Sequence, residues 1–187
     1  MERLIDIKLS ELNPTIRAMS DAGATTDDAA WLRSPGNAAL ALDFIRRQRA
    51  VLQGDHIIDC DAAPFTPDSW KVEEHEKGGQ FVWDAAKVAL HLEPEQVNGS
   101  LVGTTLRKRL KRLRKLNANV LDYLLKNPHL IPEEWKGKYV FFWGTVYRRA
   151  GGRLYVRCLY WVGSSWRWND YWVGLDWNAD YSAALAS

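Results

Sequence analysis

Cysteine is scarce in this chain. There are two in 187 residues, Cys60 and Cys158, too few for a disulfide framework and best read as two separately buried small apolar side chains. No apolar run approaches the roughly 20 residues that a membrane-spanning helix needs. The opening residues Met-Glu-Arg-Leu-Ile-Asp lack the basic flank and hydrophobic run of a signal peptide, so the sequence predicts a cytoplasmic address, with surface display by a partner left open. A net charge of +2 with 26% charged residues lacks the global basicity of a dedicated nucleic-acid binder. Catalytic signatures are missing as well. His56, His75, His91 and His129 are scattered, and there is no HExxH, paired Cys-x-x-Cys, phosphate-cradling glycine loop or Gly-x-Ser-x-Gly elbow. Asp55, His56, Asp59 and Asp61 match no metal-ligand spacing and read as a polar loop beside a strand. The run Glu73, Glu74, His75, Glu76 reads as solvated. The sequence therefore predicts no enzyme, no metal and no cofactor.

What is present is a hydrophobic content of 47%, enough to bury a core. Residues 1–54 read as a helical region: Thr26 or Asp27 caps a short helix through Leu32, and Ser34-Pro35 restarts one. Ala38, Ala41, Leu42, Ile45 and Leu52 fall along one side of this second helix, Gly54 ends it, and Arg46, Arg47 and Arg49 form a solvated face. Residues 55–187 read as a mixed domain. Ile57-Ile58 and Phe81-Val82-Trp83 suggest short strands. Seven of the nine residues from Arg107 to Lys115 are basic, and Leu106, Leu110 and Leu113 share a helical face, predicting a basic amphipathic helix over residues 106–116. Asn119 is placed to cap a further helix ending at Asn127-Pro128, with Asp122 near its start.

From Lys138 onward the pattern turns to antiparallel β. Tyr139 to Tyr147 reads as a strand, Arg149-Ala-Gly-Gly-Arg153 as a turn, and Leu154 to Trp161 as the return strand. Alternation puts Tyr155, Arg157, Leu159 and Trp161 on one face, and Val156, Cys158 and Tyr160 on the other. Gly163-Ser164-Ser165 makes the next turn, after which Trp166 and Trp168 point one way and Arg167 and Asn169 the other. The sequence thus predicts an α+β fold, a helical N-terminal region followed by an antiparallel aromatic-rich β domain.

The same stretch is depleted in another way: from Tyr139 onward there is no Lys, Glu, Gln or Met. If only the adenines of AAC asparagine codons were free to change, every product codon would end in C, and none of those residues could arise. The positions between the tryptophans obey this rule. Among them, and in the stretch after Trp177, are Val162, Gly163, Ser164, Ser165, Arg167, Asn169, Asp170, Tyr171 and Val173, then Gly174, Leu175, Asn178, Ala179, Asp180, Tyr181 and Ser182. The tryptophan codon TGG has no adenine and would never change. The tail therefore separates into a fixed frame, Trp161, Trp166, Trp168, Trp172 and Trp177, joined by Trp143 upstream, and a set of positions free to vary within residues 162–182.

Three segments carry a resemblance. They are IIDCDAAPFTPDSWKVEEH (residues 57–75), LNANVLDYLLKNPHLIPEEWKGKYVFFWGTVYR (residues 116–148) and LYVRCLYW (residues 154–161). With the closing Ala-Ala-Leu-Ala-Ser of residues 183–187, they resemble a bacterial group among the variable proteins of diversity-generating retroelements. In those systems an error-prone reverse transcriptase copies a template repeat, mutates its adenines and installs the copy in the 3′ end of the target gene. Where such tails carry asparagine, this one carries Arg167, Tyr171, Leu175, Asp180 and Tyr181, as a diversified copy should. The resemblance implies a C-type-lectin-like fold, a nearby reverse transcriptase, and a variable ligand that is a protein or cell-surface molecule.

Other readings remain open. The cations Arg107, Lys108, Arg109, Lys111, Arg112, Arg114 and Lys115 could serve a nucleic-acid-associated accessory protein, since clustered cations gain affinity by releasing counterions. They could equally form a solvated face or dock an acidic partner. Exposed tryptophans would suit a carbohydrate-binding module, and a Trp-rich β domain with small polar turns needs no ligand at all. Tyr, Ser, Gly, Asn and Arg are nevertheless the residue types of adaptable binding surfaces, with Tyr171 and Tyr181 as anchors and Arg167 as a polar contact.

Overall fold

The computed structural model describes Met19, Asp21 and residues 23–34, 36–42 and 56–187. The chain divides into two units, Met1–Gly54 and Asp55–Ser187, each considered alone. In the first, helix α1 (Thr26–Leu32) opens on a reciprocal cap. The Asp28 N–H donates to the Thr25 hydroxyl at 3.4 Å while the Asp28 carboxylate accepts from the Thr25 N–H at 2.7 Å. The cap is thus Thr25, ahead of both the expected Thr26 and its alternative Asp27, because this box needs an acidic side chain three positions on and Asp28 supplies it. Residues 36–42 are also helical, and the Ala38 N–H donates to the Ser34 carbonyl at 2.9 Å. Pro35, Ile45, Arg46, Arg47, Arg49, Leu52 and Gly54 lie outside the described residues.

The second unit combines helices with antiparallel and mixed sheet, an α+β arrangement. Its first strands are β1 (Ile57–Asp59), β2 (Lys71–His75), β3 (Gln80–Val82), β4 (Val88–His91) and β5 (Leu101–Val102). After helices α2 (Pro94–Val97), α3 (Gly103–Leu110) and α4 (Ala118–Lys126) come β6 (Tyr139–Phe141), β7 (Thr145–Arg148), β8 (Leu154–Val162), β9 (Ser165–Trp172), β10 (Asp176–Trp177) and β11 (Tyr181–Ala186). β1 pairs with β3 and β10 with β5 as small ribbons, both antiparallel. The other seven strands form one sheet in the order β2-β7-β8-β6-β11-β4, with β9 on the opposite edge of β8. All these pairings are antiparallel except β6 with β11.

The strand expected from Tyr139 to Tyr147 is broken in two. Val140 faces Leu159 and Tyr147 faces Tyr155, so more residues lie on this side of the pairing than on β8, and residues 142–144 bulge from the ladder. Gly144 makes the bulge possible: its N–H donates to the Leu116 carbonyl at 2.9 Å, and a Cβ there would sit 2.9 Å from the Asn117 Cβ. Beyond the break, β2 continues on β7 and β11 on β6, which curls the sheet.

Each face of the sheet buries its own core. On one, Leu121 and Leu124 of α4 pack with Val140, Phe142, Leu159, Trp135 and Trp83. On the other, Leu106 and Leu110 of α3 pack with Phe141, Trp143, Val156, Cys158 and Trp177. The alternation within β8, Leu159 to one side and Val156 and Cys158 to the other, is what feeds both. Helix α4 is capped by Asn117, whose side chain accepts from the Asn119 N–H at 3.2 Å, and not by Asn119. Asn119 instead donates to the Asp59 and Ala62 carbonyls at 2.8 and 2.9 Å, tying the loop after β1 to the helix.

The basic helix also differs from expectation. α3 begins at Gly103 and stops at Leu110, short of the predicted residues 106–116. Leu106 and Leu110 are buried as the spacing requires, and Leu113 packs beside them from the turn that follows. The chain leaves the helix because Lys115 and Leu116 join the sheet: Lys115 bridges Leu185, and the Leu116 N–H donates to the Ala184 carbonyl at 3.0 Å. The Lys115 ammonium turns back to the Leu110 carbonyl at 3.0 Å, satisfying one of the acceptors that a helix end leaves over.

Candidate functional site

The tail is built on the β8–β9 hairpin, whose register runs from Tyr155 opposite Trp172 to Val162 opposite Ser165. The turn is two residues, Gly163 and Ser164. Gly163 takes φ +63, the left-handed value that a two-residue hairpin needs at its first position and glycine adopts without strain. Ser165, expected in the turn, is already paired in β9.

One face of this hairpin carries the tryptophans. Trp166, Trp168, Asp170 and Trp172 lie opposite Trp161, Leu159, Arg157 and Tyr155. The Trp161 and Trp166 rings meet at 5.3 Å, and the Lys136 ammonium sits 4.1 Å over Trp161. Trp168 is held edge-on by Phe65 and Trp70, each 6.4 Å away, with the Arg157 guanidinium 4.5 Å above its ring. Arg153 covers Trp172 at 4.5 Å. These four rings are half-buried among side chains of the fold, while Trp143 and Trp177 are buried outright. Asp170 pairs with Arg149 at 2.7 Å; burial lifts its carboxyl above the ordinary aspartate range, against the pull of that cation.

The opposite face carries the exposed positions. Arg167 and Asn169 are exposed and Tyr171 half-buried. Arg167 lies opposite Tyr160; the Tyr160 ring stacks on Tyr139 at 5.5 Å; Tyr139 lies beside Tyr181 in the parallel pair, their rings 5.5 Å apart; and Tyr181 meets Tyr171 at 4.8 Å. The result is a continuous band crossing β9, β8, β6 and β11. Beneath it lies Trp177, fully buried, with Phe141 at 4.4 Å, Trp143 at 4.7 Å and the Tyr171 ring at 5.2 Å. Burial, then the neighbouring Tyr171, pushes the Tyr181 hydroxyl up to about 12.

The remaining candidate positions within residues 162–182 separate by burial. Val162 and Ser164 are exposed at the hairpin tip with Ser165 half-buried beside them, and Leu175, Asn178, Ala179 and Asp180 are exposed in the loops flanking β10. Val173 and Ser182, in contrast, are 2% and 3% exposed. Val173 packs in the core beside Leu106 and Leu110, and Ser182 lies opposite Val140 inside the sheet. Gly174 is pressed against Trp172, where a Cβ would come within 2.5 Å of the indole ring.

Three residues outside the expected set shape this face. Tyr139 and Tyr160 lie in its centre, although only the alternation through Val156 and Cys158 hinted at where Tyr160 points. Gln96 of α2 is buried, and its side-chain amide donates to the Asn178 and Tyr181 carbonyls at 3.2 and 3.1 Å, clipping the loop between β10 and β11. No sequence signal marks that contact, because the partners are far apart in the chain.

Of the seven cations in residues 107–115, three meet carboxylates. Arg107 pairs with Glu74 at 2.6 Å, Lys115 with Glu76 at 2.5 Å, and Arg109 with Glu93 at 2.9 Å and Glu95 at 2.7 Å. The hydrogen bonds from Arg109 hold the Glu95 carboxyl down at about 2. Lys108, Lys111, Arg112 and Arg114 form no ion pair among the described residues.

The polar cluster near β1 is spent on local structure. The His56 ring nitrogen Nδ1 lies 2.9 Å from the Tyr123 hydroxyl, the Asp59 carboxylate accepts from the Asp61 and Ala62 N–H groups, and Asp61 accepts from the Gly79 N–H at 2.9 Å. Asp55 lies outside the described residues. Among the described residues no group of three or more His, Cys, Asp or Glu could hold a metal ion, and no helix is long and apolar enough to cross a membrane. Compared with known proteins, the chain matches no family model, no curated protein and no solved structure.

Proposed function

We propose that this chain is the variable protein of a diversity-generating retroelement, a non-enzymatic binding scaffold that displays a changeable surface on a fixed aromatic frame. The observation that carries the reading is the division of labour on the two faces of β9. Its tryptophans are wedged among fixed side chains, while Arg167, Asn169 and Tyr171, each writable with a codon ending in C, join Tyr181 in one band on the other side. The contact set is Arg167, Asn169, Tyr171 and Tyr181, extended by Leu175, Asn178, Ala179 and Asp180 and by the tip residues Val162, Ser164 and Ser165. Tyr171 and Tyr181 suit the role of anchors, being large, stiff and amphipathic. Val173, Gly174 and Ser182 fit the frame better than the contact surface. The ligand is a protein or cell-surface molecule chosen after the frame is set.

The lectin-like form of the fold belongs to the same proposal and is supported by the family resemblance; an experimental structure compared with C-type-lectin domains decides it. The nucleic-acid reading has less behind it, because carboxylates already occupy Arg107, Arg109 and Lys115. Sequencing the DNA around the gene tests the main reading. It stands if a nearby repeat matches the 3′ end except at adenines, beside a reverse transcriptase gene, and it falls if no such repeat exists.

A further inference from the structure

β2, β4 and β9 are the outer strands of the large sheet. An outer strand offers unpaired main-chain groups to any passing chain, and proteins usually blunt it with charge, brevity or a bulge. β2 carries Lys71, Glu73 and Glu74 and a register shift between Val72 and Glu74, and β4 is four residues long. β9 is eight residues long, pairs with β8 without a register shift and contains no proline or lysine.

The register fixes which groups are left over. The Val173 N–H donates to the Leu154 carbonyl at 2.9 Å, so in this antiparallel ladder the odd-numbered residues of β9 bond to β8 and the even-numbered ones turn their N–H and C=O outward. Two outward groups are already taken. The Asp170 N–H donates to the Asn169 side-chain carbonyl at 2.9 Å, and the Trp172 carbonyl accepts from the Leu175 N–H at 3.1 Å. Trp166 and Trp168 keep both of theirs without a partner among the described residues. Between them stands Arg167, exposed on the banded face and in no ion pair among the described residues, while Asp170 points to the other face and to Arg149.

We propose that β9 recruits the ligand as an added strand: an extended segment of a protein pairs its main chain with Trp166 and Trp168 and sets an acidic side chain opposite Arg167. The inference rests on the reading of the tail as the ligand surface and names how that surface binds. Main-chain pairing gives affinity that ignores side-chain identity, and the alternate side chains give specificity. Here the two jobs fall on different residues. The open groups belong to tryptophans, whose codon has no adenine, and the side chains beside them on the banded face are Arg167, Asn169 and Tyr171. A second copy of this chain fits less well. Two-fold pairing that uses all four open groups puts Arg167 against its own counterpart, and like charges directly opposite repel. Two-fold pairing centred on Trp168 leaves the Trp166 carbonyl without a donor, since Asn169 holds the Asp170 N–H.

The probe is the peptide acetyl-Thr-Thr-Val-Thr-Glu-Thr-Val-Thr-Thr-amide, titrated calorimetrically into the full chain. The expected result is one-to-one binding, weakened by about tenfold or more when the central Glu is replaced by Lys. In the paired register the Glu N–H points away from β9, and those of the two adjacent threonines point at it. N-methylation of both adjacent threonines should therefore abolish binding, whereas N-methylation of the Glu should change it by less than about threefold. Amide exchange followed by NMR reads the protein's side: Trp166 and Trp168 should exchange fast in the free chain and become protected by the peptide. The proposal is overturned if the peptide does not bind at millimolar concentration, or if methylated threonines leave binding intact. It is also overturned if the two tryptophan amides are already protected in the free chain, as a covered edge or a dimer would make them. None of these outcomes bears on the DNA repeat beside the gene, so strand addition can fail while the variable-protein reading stands.

Discussion

The Arg157 guanidinium, fully buried in the middle of β8, is gripped by both oxygens of the Asp122 carboxylate on α4, at 2.7 and 3.0 Å. The pair locks helix to sheet, with the guanidinium over the Trp168 ring. Taking one partner from a buried ion pair typically costs about 3–5 kcal/mol, because the other is left charged and unmatched. Asp122 retains some access to water, and asparagine keeps one acceptor. We therefore expect Asp122→Asn to sit near the lower end, about 3 kcal/mol, read as a lower urea midpoint at unchanged slope. A loss below about 1 kcal/mol would mean that the pair does not fix α4 to the sheet.

Gly103 holds a second tight junction. A Cβ there would fall 2.5 Å from the Val173 carbonyl oxygen and collide with the Trp177 indole, the floor of the aromatic band. Gly103→Ala should destabilise the unit by about 1–3 kcal/mol, the usual cost of overpacking, even though alanine is the better helix former. A raised melting temperature would show that the helix start can shift to make room.

The two thiols should be inert. Burial pushes Cys158 up to about 12 and Cys60 up to about 11, from an ordinary 9.0, with Asp59 and Asp61 adding to the second. Since the thiolate is the reactive form, neither should react with a thiol reagent at pH 8 until the protein is unfolded by denaturant. The same shifts set a sign for stability. Below about pH 9 both folded and unfolded chains keep the protons; between 9 and 12 the unfolded chain gives them up first, so stability falls as pH rises through that window. Rapid native labelling at pH 8 would falsify the burial that both shifts rest on.

Local pattern was legible where local forces decide. The strands at Ile57 and Leu154, the turn at Gly163 and the alternation of β8 follow from residue types and their period. The errors lie where distant residues intervene. Asn117 outcompetes Asn119 as a cap because Asn119 is drawn to the carbonyls of Asp59 and Ala62, 60 and 57 residues away. The basic helix ends early because Lys115 and Leu116 are recruited by β11. The face that carries Arg167, Tyr171 and Tyr181 was half legible: the codon pattern singled out those three, but it could not see Tyr139 and Tyr160 brought alongside by pairing. Nor could it see that Val173 and Ser182 point inward, since a permissive codon says nothing about which way a side chain faces.

That last distinction gives the sharpest test of the tail. A surface meant to vary should change without penalty, so Arg167→Ser, Asn169→Ser and Asn178→Ser should each stay within about 0.5 kcal/mol of the parent. Val173→Asn would place an amide in an apolar core beside Leu106 and Leu110 and remove the methyl groups that fill it, at about 2 kcal/mol or more. Thermal unfolding of the four variants checks this directly. If Arg167→Ser or Asn169→Ser costs as much as Val173→Asn, the exposed side of β9 helps to hold the fold, and it is not free to diversify.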